Sequence, residues 1–151
     1  MIGPGEAAGD ELETAEELGR LIAEAGAALV CGGRGGVMEA ACRGARSAGG
    51  LTVGILPGRD RREANPYVEV AIPTGLGEAR NPLVVRSADA VVAVGGAYGT
   101  LSEIAFALKA GTPVVGIHSW ELSRGGQPDS GVVRADSAAE AARAALDLAR
   151  K

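Results

Sequence analysis

Glycines at 95, 96 and 99 lie between the apolar run Ala90-Val91-Val92-Ala93-Val94 and a helix-forming stretch that begins Thr100-Leu101-Ser102-Glu103. Glycine takes positive φ at little steric cost and puts no side chain in front of a ligand, while the first N–H groups of a helix lack an intrahelical acceptor. Gly95, Gly96, Gly99 and Thr100 therefore form a candidate phosphate site, with the helix dipole favouring the anion's charge. The same residues admit a second reading, because Thr100-x-x-Glu103 has the spacing of a capping box that satisfies those donors internally. A second turn of this kind, Cys31-Gly32-Gly33-Arg34-Gly35-Gly36, follows the apolar run Ala27–Val30 and precedes a stretch with Val37, Ala40, Ala41, Gly44 and Ala48 on one stripe. Gly32, Gly33 and Gly36 are its candidate ligand-binding positions. In an open parallel sheet such turns share the carboxyl edge, so two of them converge where the strand order reverses. A third glycine turn, Gly3-Pro4-Gly5, stands near the N-terminus.

The elements that must carry these turns alternate in type. Asp10 to Ala25 has helical periodicity, with Leu12, Ala15, Leu18, Ile22 and Ala25 on one face and Asp10 as cap. A strand over 27–31, a helix over 37–48 ended by Gly49-Gly50, and a strand over 51–56 stopped by Pro57-Gly58 follow. A polar loop over 58–67 leads to a strand over 68–72, a helix over 78–87, a strand over 90–94 and a helix over 100–110. The pattern closes with a strand over 113–117, a polar loop over 118–131 and a helix over 137–150 capped by Ser137-x-x-Glu140. Strands alternating with helices predict an α/β fold: a doubly wound, mostly parallel Rossmann-like sheet with helices on both faces and right-handed crossovers. No linker or repeat divides residues 1–151, which read as one domain. The first strand should precede Gly3-Pro4-Gly5, where only Met1 and Ile2 stand, so either the sheet lacks most of it or the chain starts downstream of its natural beginning.

Composition narrows the function. A chain of 151 residues that is 46% hydrophobic buries a core without disulfides or metal, and no metal-ligand spacing is present. A net charge of −4 disfavours nonspecific nucleic-acid binding. No apolar stretch approaches the roughly 20 residues of a membrane span, and no signal-peptide pattern precedes the first acidic helix, so the expected location is the cytoplasm. Cys31 and Cys42 lack the spacing of a zinc or redox motif and are expected as buried free thiols.

The segments Cys31-Gly32-Gly33, Gly36-Val37-Met38-Glu39-Ala40-Ala41, Gly77-Glu78-Ala79-Arg80-Asn81 and Val94-Gly95-Gly96-Ala97-Tyr98-Gly99-Thr100-Leu101-Ser102-Glu103 together resemble the "possible lysine decarboxylase" superfamily. That group includes the LOG phosphoribohydrolases and the molybdenum cofactor carrier proteins. The resemblance runs from Gly3 to about Ile117. Its decarboxylase label has no support here, since Lys109 and Lys151 are the only lysines and neither has the setting of a pyridoxal phosphate site. The resemblance implies that Arg80 and Glu103 occupy the places of the catalytic arginine and glutamate that act on the N-glycosidic bond of a nucleoside 5′-monophosphate. Arginine would clamp phosphate or a ribose hydroxyl, and the glutamate would orient water or stabilise an oxocarbenium-like centre. Four positions depart from the hydrolase pattern: Gly95 stands for proline, Ala97 for glycine, Ser102 for an acid and Asn81 for lysine. These departures match the carrier-like branch, with a nucleotide or the pterin-based molybdenum cofactor as ligand.

The remaining polar residues have plainer readings. Arg34 either joins the site or points to solvent, and Arg59 to Arg62 form a solvated loop or close over a phosphate. His118, the only histidine, follows a strand on the ligand edge without an identifiable acid–base partner. Leu83, Val84 and Val85, with Leu101, Ile104, Ala105 and Leu108, form apolar helix faces expected to pair in a homodimer or higher homo-oligomer, as the resemblance also implies.

Overall fold

A computed structural model describes residues 1–150. The elements are α1 (Asp10–Glu24), β1 (Leu29–Cys31), α2 (Val37–Ser47), β2 (Thr52–Leu56), β3 (Val70–Pro73), α3 (Asn81–Arg86), β4 (Val91–Val94), α4 (Tyr98–Ala110), β5 (Val114–Ile117), β6 (Leu122–Arg124), β7 (Gln127–Asp129), β8 (Val132–Ala135) and α5 (Ala138–Ala149). Parallel pairing orders β1-β2-β3 on one side and β4-β5-β8 on the other. Met1 and Ile2 fill the seam between them. Ile2 N donates to Val92 O at 2.9 Å and its carbonyl accepts from Val94 N at 3.1 Å, while the Met1 amine donates to Val30 O at 2.8 Å. The place of the expected first strand is thus taken by two residues, and the strand order reverses there.

Strand periodicity assigns each valine to a layer. Val92, Val94, Val115 and Ile117 face α1, α2 and α5, where they meet Leu18, Ala41 and Ala142. Their neighbours Val91, Ala93 and Val114 point the other way, onto Val84 and Val85 of α3 and Ile104 of α4. Each fully buried Val, Leu or Ile contributes about 1.5–3 kcal/mol of transfer free energy, so helices are held on both faces. Small residues let α1 and α2 touch backbone to backbone: a Cβ at Gly19 would strike Ala41 O, and one at Gly44 would strike Glu16 O.

Several local expectations change. Asp10 is the first helical residue and not a cap; Gly9 holds the cap position at φ 52, and Asp10, Glu11 and Glu13 instead complement the dipole of the first turn. The helix expected over 78–87 is a 3-10 turn at Gly77–Arg80 leading into the six residues of α3. Pro73 lies inside β3, where an edge position tolerates its missing N–H. The loop expected over 118–131 contains the antiparallel hairpin β6–β7, and β8 is an additional parallel strand beside β5. Ser137 does cap α5, accepting from Glu140 N at 3.2 Å. Of the expected assembly face, Val84, Val85 and Ile104 belong to the core, whereas Leu83 is 41% exposed; Phe106, outside that expected set, is 43% exposed. No described helix is long and apolar enough to cross a membrane.

Candidate functional site

At the end of β4 the chain turns through Gly95, with φ 59, and enters α4 at Tyr98. Gly95 N is anchored on Ile117 O at 3.1 Å, and the first bond of the helix runs from Leu101 N to Ala97 O at 3.1 Å. Between them, the N–H groups of Gly96, Ala97, Tyr98, Gly99 and Thr100 meet no protein acceptor among the described residues. The capping box does not form. Because α4 starts at Tyr98, Thr100 and Glu103 lie inside the helix, 3% and 8% exposed, and the cap residue Ala97 makes no side-chain bond. Five consecutive donors at a helix start, with Gly96 and Gly99 exposed, make a local field suited to an anion.

Arg80 projects from the 3-10 turn into the space between this helix and the first glycine turn. The residue is 8% exposed. Its Nη2 donates to Gly32 O at 3.4 Å, its Nη1 bonds Asn81 Oδ1 and lies 4.0 Å from Glu103 Oε1, and its buried Nε has no acceptor. The guanidinium fits only because residue 32 has no side chain, since a Cβ there would fall 2.5 Å from Nη2 and 2.8 Å from Met38 Sδ. Burial lowers the Arg80 pKa, against the attraction of Glu103, yet a guanidinium remains cationic. Burial also raises the Glu103 carboxyl to about 7, with Arg80 opposing the shift. Near neutrality this carboxyl both gives and takes a proton. A cation with a spare buried donor and a carboxyl of this kind therefore meet at the helix whose start is open.

The first glycine turn is arranged differently. Gly33 N donates to Cys31 Sγ at 3.3 Å, Gly33 O accepts from Asn65 N at 2.9 Å, and Asn65 Nδ2 reaches Arg34 O at 2.9 Å. Gly36 abuts Pro4 and Gly5, and Val37 N donates to Pro4 O at 3.1 Å. Gly32, Gly33 and Gly36 thus pack against protein atoms, with Gly32 the one in contact with Arg80. Arg34 forms a surface ion pair with Glu63 at 3.1 Å, and Arg62 pairs with Asp60 at 2.6 Å, with no contact to Arg80 or Glu103. The two cysteines, which show no pairing motif in sequence, are brought together: their buried sulfurs lie 3.6 Å apart. Hydrogen bonding between the two sulfurs is the main influence on both thiols, lowering Cys31 and raising Cys42.

A cavity of about 510 Å³ opens beside Gly96, at the carboxyl ends of β5 and β8 and under the β6–β7 hairpin. His118 enters it with φ 48, the one non-glycine residue at positive φ among the described residues. Ser119 Oγ is buried without a partner, and Trp120 Nε1 donates to Ala97 O at 3.3 Å. The Trp120 ring lies 5.7 Å from that of Tyr98. Sequence reasoning missed this wall except for His118. Gly125-Gly126 is a hairpin signal, and Val132-Val133 following it a strand signal, and together they would have located it.

Comparison with known proteins agrees with this architecture. The molybdenum cofactor binding protein of Rippkaea orientalis superposes with a TM-score of 0.87 at 39% identity, over 97% of this chain and 93% of that one. The molybdenum cofactor carrier protein of Chlamydomonas reinhardtii gives 0.86 at 39% identity, over 99% and 96%. An uncharacterized protein of Archaeoglobus fulgidus is 49% identical over 117 residues, 78% of this chain and 77% of its own length. The SLOG cluster4 family model matches residues 1–144, and the chain belongs to that family.

Proposed function

We propose that residues 1–151 act as one binding unit for a small phosphorylated ligand, a nucleotide or the pterin-based molybdenum cofactor, and that the chain is a carrier of that ligand. The observation that carries this reading is the run of five unpaired N–H groups at the start of α4 beside the buried, partly unsatisfied Arg80. A phosphate oxygen accepts from backbone N–H and from guanidinium, so the donor set fits the phosphate arm of either ligand. When bound, the molybdenum cofactor would bring an oxo-transfer metal on a pterin dithiolene. The chain's part is to hold the phosphate with Gly96–Thr100 and Arg80, with Gly32 giving the guanidinium its room. The likeness to carrier and binding proteins at 39% identity supports this choice over chemistry. Native mass spectrometry of protein purified without added ligand tests it: a retained phosphorylated pterin or nucleotide is expected. An empty protein that also shows no calorimetric signal with AMP or a phosphorylated pterin overturns it.

One observation favours a second reading. Glu103, raised to about 7 and 4.0 Å from Arg80, has the protonation behaviour of a general acid or base at an N-glycosidic bond. In a hydrolase, Glu103→Gln abolishes base release from AMP and leaves AMP binding largely intact. In a carrier, the unaltered chain releases no base above background at millimolar AMP, which is the outcome expected from the four altered motif positions. We also assign a cytoplasmic homodimer, with Leu83 and Phe106 as the exposed apolar residues of the α3–α4 layer. A monomer by light scattering at micromolar concentration counts against it.

A further inference from the structure

We infer that the cavity beside Gly96 is a second compartment of the same site and takes the flat heteroaromatic ring of the ligand, a purine or pterin. The inference rests on the phosphate reading above. Geometry joins the two compartments at one residue: a Cβ on Gly96 would lie 2.8 Å from the Trp120 indole and 3.5 Å from Ser119 Oγ, so two residues that line the cavity stand against the residue that opens the run of free N–H groups. A volume of about 510 Å³ falls in the range of small-molecule sites. Trp120, Leu122, Pro128 and Val132 give the cavity apolar surface for a ring. Ser119 Oγ, buried and unpartnered, offers both a donor and an acceptor, which is what the alternating N–H and C=O or ring-nitrogen edge of a purine or pterin requires.

Charge separates the two ends of the ligand. The cavity is lined by Glu121, Asp129 and Asp136 against Arg134 and His118, and Arg134 is already paired with Glu121 and Asp136 at 3.3 and 3.1 Å. Such a lining repels a phosphate dianion and accepts hydrogen bonds from ring N–H and amino groups. The helix start does the reverse, offering donors only. A phosphorylated heterocycle therefore has one orientation, phosphate on Gly96–Thr100 and ring toward Ser119 and Trp120.

Trp120 is the only tryptophan, so its fluorescence reports the cavity directly. The experiment titrates the full chain with AMP and, in parallel, with a pterin carrying an alkyl phosphate, using ribose 5-phosphate as the ring-free probe and calorimetry for affinity. The ring ligands are expected to change Trp120 emission well beyond the change given by ribose 5-phosphate, which reaches the indole only through its bond to Ala97 O. Filling the cavity by Ser119→Leu, or from its far wall by Pro128→Tyr, is expected to weaken the ring ligand about tenfold or more and to leave ribose 5-phosphate within about twofold. Whichever ring ligand responds identifies purine or pterin. Ring ligands that bind calorimetrically without altering Trp120 emission more than ribose 5-phosphate does, and with equal affinity in both variants, overturn the ring compartment and leave the phosphate reading standing. Failure of all three probes to bind overturns both.

Discussion

Two turns in this molecule share one sequence pattern, an apolar strand, a cluster of glycines and a helix, and they use the glycines for opposite ends. At Cys31–Gly36 the missing side chains make room for protein: Gly32 for the Arg80 guanidinium, Gly33 for Leu56 and the backbone of Gly54, Gly36 for the Pro4–Gly5 turn. At Gly95–Thr100 Gly95 gives room to Glu11 and Gly96 to Trp120, while Gly99 leaves room for something else. A Cβ on Gly99 would meet nothing within 4 Å, and the N–H groups around it have no acceptor among the described residues. Glycine-rich turns at the carboxyl edge of a sheet are therefore not interchangeable evidence for a ligand. What separates them is whether the donors are already engaged and whether the absent side chains face protein or open space.

The sharpest way to break this contrast is to add a side chain to each turn. Gly99→Val puts a side chain into the open space beside the donors, where a Cβ meets no protein atom within 4 Å, so ligand affinity measured by calorimetry should fall about a hundredfold with the fold retained. Gly36→Val meets Pro4 and Gly5 at φ 61 and should instead lower unfolding stability by roughly 2–4 kcal/mol in urea titration, with affinity per folded molecule little changed. If both variants lose affinity and neither loses stability, the contrast is wrong.

Arg80 is the link between the turns, so Arg80→Met tests whether they form one site. Affinity for AMP or ribose 5-phosphate should drop about tenfold, and the Glu103 carboxyl, relieved of its neighbouring cation, should titrate above its present value of about 7 by carboxyl-selective NMR. An unchanged Glu103 titration removes the coupling. Glu103 itself gives a smaller, pH-dependent effect. Its folded pKa lies above the ordinary 4.5, so between about 4.5 and 7 the folded chain holds a proton that the unfolded chain has released. Stability then falls as pH rises through that window, by at most about 1.4 kcal/mol per pH unit from this group, and Glu103→Gln should remove that slope. The least effect belongs to the arginine at the rim of the first turn. Arg34→Ala breaks a half-exposed pair with Glu63 and should change stability and affinity by less than about 0.5 kcal/mol.

The sheet and its layers were legible in the sequence because each half follows strong rules: continuous apolar runs for buried parallel strands and 3.6-residue stripes for α1 and α2. The Thr100–Glu103 spacing misleads as a cap because α4 begins two residues earlier, at Tyr98, and a cap depends on where the helix starts rather than on spacing alone. Arg80 and Glu103 were found through family resemblance, yet their 4.0 Å approach comes from the packing of the 3-10 turn against α4, a long-range contact with no local pattern. The cavity wall was harder still. The short strands β6, β7 and β8 carry exposed polar residues on an edge, so apolar alternation does not mark them and only the Gly125-Gly126 turn and the Val132-Val133 pair do.

The sulfurs of Cys31 and Cys42, 3.6 Å apart, make a built-in clock for local opening. Cys31 ends β1 and Cys42 lies on the inner face of α2, and both are fully shielded. An alkylating reagent reaches them only when α2 lifts from the sheet, and the opened thiols then react as ordinary exposed cysteines. The labelling rate of this pair therefore counts how often the layer behind the first glycine turn breathes, and a ligand bridging Arg80 to α4 would register there as a slower tick without touching either cysteine.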